Sequence, residues 1–531
     1  MKTQKIIPLV LCSILSVSCS MRGSNSSSDK KTYDILPLST GYFSSAVGKV
    51  RLKDSDDILS PFNTTISGNV LSVSNTYDEK THQAMQDEFS YDFYYYHALL
   101  DRHNYYTLYE DENQKSDDRK PIENIKTIND SYGTGKEIAC DPFLYDVLKE
   151  SYQFTLNSNL KFNMFLGTLN EVYEPKLARL QKDMNSLDVT MTLINKATFS
   201  SDFDSEEISQ IVSSLPSTKE EVKSLLTFND EKKTVRFNRI EKADNLEISL
   251  GGNGKGFATE AVSRKFKEEY PGISLIINSG TSSIKAVGTR PDGKYWNISY
   301  ANPVYQEALN TSANIANPYN KSEVALKKNG EFNISTSGYY EQYFYVYDGD
   351  DDFKRRSHIV DSRTGYSHQF FDQISVLIDN TGLADMYTTA LMNTDSVEEC
   401  KTLFDNLNSI YNEKDASIIL CYKTAKDESY SPYEYKMSEL TDTYEYNGKI
   451  YPSVTLKDGS KYRGDYSDFD SSSFFRQDGN SVIDSKAVRN FQETYKVSKN
   501  LTDGFYLLDA DNYPNYIPYR NNILSRIEAD L

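Results

Sequence analysis

Between an extended segment and an amphipathic helix the chain reads Leu250-Gly251-Gly252-Asn253-Gly254-Lys255-Gly256. Glycine reaches backbone conformations closed to other residues, so this stretch is a turn by constitution. Any fold the chain adopts must bring an extended segment to one end of it and a helix to the other. Phe257, Ala261, Val262 and Phe266 give that helix its buried face, and Pro271-Gly272 ends it. Free amides at a helix N-terminus, the helix dipole and one lysine make a ready anion site. The turn is not a P-loop, because Ser249 stands where the first glycine belongs and Gly256 replaces the hydroxyl residue after the lysine; nor does it fit G-x-G-x-x-G. Taken alone it is either an anion cradle or a tight structural turn.

The segments around the turn alternate in type. Helical patterning covers 78–107, with a very aromatic run from Tyr91 to Leu100, then Asp141–Leu156 and Val172–Met184. A capping-box pattern near Thr218 opens a short helix through Leu226. Strands are expected at Thr234–Phe237, Ser274–Asn278, Trp296–Tyr300, Tyr343–Tyr347, His358–Val360, Gln373–Ile378 and Ile418–Tyr422. Helices at Phe257–Tyr270 and Leu383–Asn393 interrupt them, and Asp395-Ser396-Val397-Glu398 caps another. The pattern predicts an α+β domain over 56–430, followed by a polar, Tyr- and Asp-rich extension over 431–531.

Charge and composition exclude several functions. The 531 residues carry a net charge of −19, the wrong sign for a nucleic-acid partner, which binds through a basic face. Aromatic residues make up 13% of the chain, which argues for a packed globule rather than disorder. No apolar run approaches the roughly 18 residues of a membrane helix. Residues 1–18 have the cationic head and short apolar core of a secretory signal, and Leu15-Ser16-Val17-Ser18-Cys19 resembles a bacterial lipoprotein box. The expectation is a chain lipidated at Cys19 and tethered through 19–55 to the extracytoplasmic face of the cell membrane; a plain secreted chain is the alternative. Cys140, Cys400 and Cys421 lack metal-ligand spacing and read as buried single thiols, with a 400–421 disulfide left open.

Two further elements carry chemistry. Asp385 and Thr389 are one helical turn apart, so their oxygens share a face: either a hard-oxygen pair for Mg²⁺ or a helix-surface pair. Ser357-His358-Ile359-Val360-Asp361-Ser362-Arg363-Thr364-Gly365 runs a strand into a turn, with His358 either structural or functional. Asp348-Gly349-Asp350-Asp351-Asp352 lacks the later ligands of a calcium loop and reads as a hairpin turn.

In this order the elements resemble the FAD:protein FMN transferase (ApbE) family. The family's Gly-Gly…Lys-Gly-Tyr/Phe-Ala loop looks like Gly251-Gly252…Lys255-Gly256-Phe257-Ala258, and its Asn-x-Gly-Gly strand end like Asn278-Ser279-Gly280-Thr281. Val287 to Gly293 follows downstream. Thr336-Ser337-Gly338-Tyr339-Tyr340-Glu341, the His358 segment and Ala384-Asp385-Met386-Tyr387-Thr388-Thr389 complete the set. Phe62-Asn63-Thr64-Thr65 resembles the family's first strand, and Phe162-Asn163…Gly167 its flavin-side segment. The resemblance covers about 56–430 and leaves the extension out.

What it implies is an α+β, T-fold-related architecture of mixed sheets with packed helices. The implied reaction is Mg²⁺-dependent transfer of FMN from FAD to a Ser or Thr hydroxyl of an exported acceptor protein, releasing AMP. The resemblance assigns Mg²⁺ to Asp385, Thr389 and the Gly252 carbonyl. It assigns FAD to Phe62, His103, Lys161, Phe162, Asn163, Ser249, Lys255 and Ile359, with His358 and Asp385 as catalytic groups. The sequence departs from the family pattern at Ser249, where an Asp is usual, at His103, where a flavin-contacting Tyr is common, and at Thr281-Ser282, in place of the second Gly. An FAD pyrophosphatase using water as acceptor, and a non-catalytic flavin-binding lipoprotein, are the alternatives.

Overall fold

The protein is described here from a computed structural model. It describes residues 31–42, 47–55, 57–109, 119–186, 201–280, 282–298, 326–328, 330–339, 342–347, 353–368, 370–413 and 416–422, and short strands at 442–446, 449–455, 461–463 and 505–507. The signal, Cys19, the 348–352 turn, Thr281, Tyr340 and Glu341 lie outside the described residues. Among the described residues no helix is long and apolar enough to cross a membrane.

One eight-stranded sheet organises the domain. Its strands are β1 (Tyr33–Ser39), β2 (Ile66–Val73), β3 (Ser274–Ser279), β4 (Ser283–Val287), β5 (Phe332–Gly338), β6 (Phe371–Leu377), β7 (Ser417–Tyr422) and β8 (Phe505–Leu507), and they lie side by side in chain order. Neighbours pair antiparallel except β7 and β8, which run parallel. The helices that matter for the site are α1 (Glu79–Leu100), α2 (Pro142–Asn157), α3 (Gly167–Ser186), α4 (Gly254–Glu269), α5 (Thr381–Met392) and α6 (Val397–Tyr411). Side-chain caps start α1 at Asp78, α2 at Asp141, α5 at Asn380 and α6 at Ser396, each contributing about 1 kcal/mol.

Both faces of the sheet are covered. On one, Leu38, Val70, Leu275 and Ile277 meet Phe89 and Phe93 of α1 and Val262 and Phe266 of α4. On the other, Ala286, Phe332 and Ile334 pack with Trp296 and Ile298 of a small hairpin. The register sets Ser279 opposite Ser283 and Ser283 opposite Ser335, so three serines form a row across β3, β4 and β5. Directly paired residues project from the same face, and this row faces α4 and α5.

The two helices cross at glycines. A Cβ on Gly256 would fall 2.5 Å from Asp385 Oδ2 and from the Thr381 carbonyl, and one on Gly382 would fall 2.4 Å from the Phe257 ring. Glu260 of α4 closes the crossing by accepting from the Thr381 amide and hydroxyl, each at 3.0 Å, where α5 begins.

Several expectations change. The first helix stops at Leu100, and Tyr106–Leu108 is a strand. The expected first strand at Phe62–Thr65 is instead a tight turn at Pro61–Asn63, leading into β2. Residues 33–39 and 50–52 were expected to be tether but are strands, so folded structure begins well before residue 56. His358 lies just beyond a strand that ends at Ser357. Strands β4 and β5 escape the sequence pattern because their helix-facing side is Ser, Lys and Asn. Cys140 and Cys400 are buried free thiols, so the 400–421 disulfide is not formed.

Gly382→Ala should lower stability by about 1–3 kcal/mol through overpacking against Phe257. The readout is the urea midpoint, and an unchanged midpoint would mean the helices do not approach this closely.

Candidate functional site

The glycine turn brings the chain out of the Ser249–Leu250 segment and straight into α4. Ser249 donates its amide to the Met164 carbonyl at 2.8 Å, and the Asn253 and Gly254 amides return to the Leu250 carbonyl at 3.2 and 2.8 Å. Asn253 is fully buried and donates Nδ2 to Ser151 Oγ of α2 at 2.7 Å; its side-chain oxygen has no hydrogen-bond partner. The turn is therefore anchored from below, with the Gly254 amide satisfied at Leu250 and the Gly256 amide in the first turn of α4 still to be satisfied.

Asp385 satisfies it. Its Oδ2 accepts from the Gly256 amide at 2.9 Å, and its Oδ1 accepts from Ser283 Oγ at 2.7 Å and from Ser335 Oγ. Burial pushes the Asp385 carboxyl up to about 6, opposed by the two serine hydroxyls, the Lys255 ammonium and the Gly256 amide. One turn later, Thr389 Oγ1 lies 3.0 Å from the Asp385 carbonyl and 3.4 Å from the Gly252 carbonyl. A side chain on Gly252 would meet Thr389 Oγ1 at 3.4 Å and the Phe162 ring at 3.6 Å. The structure thus gathers Gly252, Asp385, Thr389 and Phe162 around one turn, which the sequence could only place on separate elements.

The donor set fits a hard divalent cation. It offers one carboxylate, one hydroxyl and one carbonyl, all oxygen, the chemistry Mg²⁺ prefers when it keeps waters and phosphate in its shell. Among the described residues no group of three or more His, Cys, Asp or Glu side chains gathers as a metal site.

Lys255, the second residue of α4, acts electrostatically on both Asp385 and His358. The His358 side chain is accessible to solvent, with protein crowded around its ring. That crowding, with the Lys255 ammonium, lowers its pKa to about 4, so the imidazole is neutral at pH 7. Nδ1 lies 3.3 Å from the Gln342 carbonyl, which only accepts; Nδ1 therefore carries the proton and Nε2 a lone pair.

Phe62 reaches the turn from the other side, its ring 3.4 Å from where a Gly254 side chain would begin. It holds a left-handed backbone, φ 53°, as does Asn63 at 54°, a conformation that persists only under external constraint. His97 supplies the constraint: Nδ1 accepts the Phe62 amide at 3.2 Å and the rings pack edge-on at 5.2 Å. Nε2 then carries the ring proton, 3.3 Å from Tyr106 Oη, which donates to Asp101 Oδ2 at 2.7 Å.

The remaining expected residues divide. Ser249 is buried beside the turn and accepts from Asn170 Nδ2 of α3 at 2.9 Å. Asn163 accepts the Phe165 amide at 3.0 Å, while its buried Nδ2 has no hydrogen-bond partner. Ile359 is core, with its amide on Ser357 Oγ. The Lys161 ammonium, expected at FAD, is instead spent on the Asn393 carbonyl at 2.6 Å and Glu399 at 2.7 Å, tying α5 to α6. His103 bonds Glu174 at 3.0 Å in a cluster around buried Arg102, which also pairs with Glu171 and Glu247. Sequence reasoning missed Ser283, Ser335, Asn253 and His97, because single polar residues show no partner until strands and helices are paired.

Residues 85–410 match the family model described as ApbE family. No curated protein matches the chain in sequence. Among solved structures, the chain is similar to the ApbE protein of Thermotoga maritima at 16% identity and TM-score 0.45, covering 76% of this chain and 94% of that one. It is similar to the flavin transferase ApbE of Vibrio cholerae at 16% and 0.45, covering 74% and 95%. For the flavinyl transferase ApbE of Pseudomonas stutzeri, in its apo form, the values are 16% and 0.44, covering 68% and 89%.

Burial lowers the His97 pKa from its ordinary 6.5. An unfolded chain then takes up that proton more readily than the native one, so His97's contribution is neutral above pH 6.5 and destabilising as pH falls below it. Stability measured by urea denaturation from about pH 7 to 5 should fall more steeply for wild type than for His97→Asn.

Proposed function

We infer the activity from one premise: this chain belongs to the ApbE family. It is a flavin transferase that moves FMN from FAD to a Ser or Thr hydroxyl of an exported acceptor protein and releases AMP. In the balanced step, the acceptor oxygen bonds to the FMN-side phosphorus, and that phosphorus loses its bond to the bridging oxygen. AMP departs with that oxygen, and the hydroxyl proton passes to a base. The observation that carries the reading is the convergence of Asp385 and Thr389 on the glycine turn, Asp385 at the Gly256 amide and Thr389 at the Gly252 carbonyl.

Each residue has a role in that step. Gly252, Asp385 and Thr389 would hold Mg²⁺, which when bound supplies positive charge to the pyrophosphate oxygens. Lys255 adds a second positive charge at the start of α4, whose dipole has the same sign. His358 presents a neutral Nε2, the candidate acceptor for the hydroxyl proton. Phe62, half-buried beside the turn, offers an apolar face suited to a flavin ring, and buried Phe162 packs against Gly252 beneath it. Lipidation at Cys19 would hold the enzyme at the extracytoplasmic face of the membrane, where exported acceptors pass.

The test mixes purified protein with FAD, Mg²⁺ and an acceptor domain and follows in-gel flavin fluorescence together with AMP. Transfer gives both signals, AMP alone identifies the pyrophosphatase, and neither identifies a flavin binder. Asp385→Ala should abolish both signals, and Lys255→Ala should reduce the rate by about 100-fold or more. Full activity in Asp385→Ala would remove the proposed metal site.

A further inference from the structure

The geometry points to Ser283 and Ser335 as positioning residues that lock the Asp385 carboxylate in the orientation a divalent cation needs. This deepens the proposed function and rests on its metal site. An aspartate's terminal torsion is broad and roughly two-fold, so the backbone of α5 alone leaves the carboxylate free to turn. An ionised carboxylate offers about four acceptor positions on its two oxygens. Here Ser283 and Ser335 both address Oδ1, and the Gly256 amide addresses Oδ2. Three of about four positions are occupied, and the open one lies on Oδ2, the oxygen facing the glycine turn.

Register makes the arrangement possible. Ser283 and Ser335 are direct partners on β4 and β5, so both hydroxyls reach the same oxygen from one face of the sheet. Both are buried, at 0% and 1% exposure, where a hydroxyl without a partner would be unfavourable. The third serine in the row, Ser279, bonds Thr259 of α4 instead, so only two members of the row serve the carboxylate. The chemistry of the donors also matters. Lysine or arginine at either position would orient Asp385 equally well but would neutralise the charge a cation needs. A hydroxyl orients the carboxylate and leaves its full negative charge in place. Outer partners of this kind typically set metal affinity by about 10- to 100-fold.

The experiment measures Mg²⁺ binding by calorimetry and Mn²⁺ binding by electron paramagnetic resonance, with melting temperature recorded in the absence of metal. Ser283→Ala and Ser335→Ala should each weaken both ions by about tenfold or more in protein that is still folded without metal. Ser283→Thr, which keeps the hydroxyl, should retain wild-type affinity. If wild type binds and both alanine variants bind equally well, the inference falls and the metal site stands. If wild type binds neither ion, the metal site and the inference fall together. A lowered melting temperature with unchanged affinity in the folded protein would assign the serines to packing alone and overturn the inference. If one alanine variant does not fold, the other decides.

Discussion

A carboxylate buried between a sheet and the end of a helix is the interaction on which this site depends. Asp385 is almost wholly removed from water, and burial alone would drive it towards the neutral acid. Its neighbours act against that: two hydroxyls from the sheet, one amide from the glycine turn and the nearby Lys255 ammonium. Three elements distant in sequence must therefore converge before the charge is tolerable. The same convergence brings the Asp385 carboxylate, the Thr389 hydroxyl and the Gly252 carbonyl to one turn.

The close approach of α4 and α5 is what lets Asp385 touch the turn. Gly256 and Gly382 remove the two side chains that would hold the helices apart, and Glu260 joins their ends by accepting at Thr381. Glycine at 256 thus has a steric reason rather than a conformational one, since it lies in ordinary helix. A larger residue would displace the carboxylate from the amide it caps. The Phe62 side of the turn is held in a different way. Phe62 and Asn63 sit in the left-handed region, kept there by a directional chain from the Phe62 amide through His97 and Tyr106 to Asp101. The Phe62 amide can only donate and the Asp101 carboxylate can only accept, so the tautomer of His97 between them follows from the geometry.

Other polar clusters serve the scaffold. Lys161 joins the end of α5 to α6, and Arg102 gathers Glu171, Glu174 and Glu247 into a network that takes in His103. A sequence motif that contains a lysine or histidine does not say whether its charge faces a ligand or another helix; the partners decide.

The glycine turn, the one-turn spacing of Asp385 and Thr389, the cap at Ser396 and the mixed α+β character were all legible in the residues. Each is a local property, set by backbone freedom, helical periodicity or the reach of a capping side chain. Strands β4 and β5 were not legible, because alternation is normally read as apolar inside and polar outside. Here the inward side of both strands is polar, since it meets a carboxylate. The edge strand at Tyr33–Ser39 was hidden in a segment that reads as tether, and the strain at Phe62 has no sequence signature at all. Residue types and short-range spacing determined which groups were available for chemistry. Strand register and helix crossing decided which of them meet, because those pairings join residues far apart along the chain, 50 positions from Ser335 to Asp385 and 129 from Gly256 to Asp385.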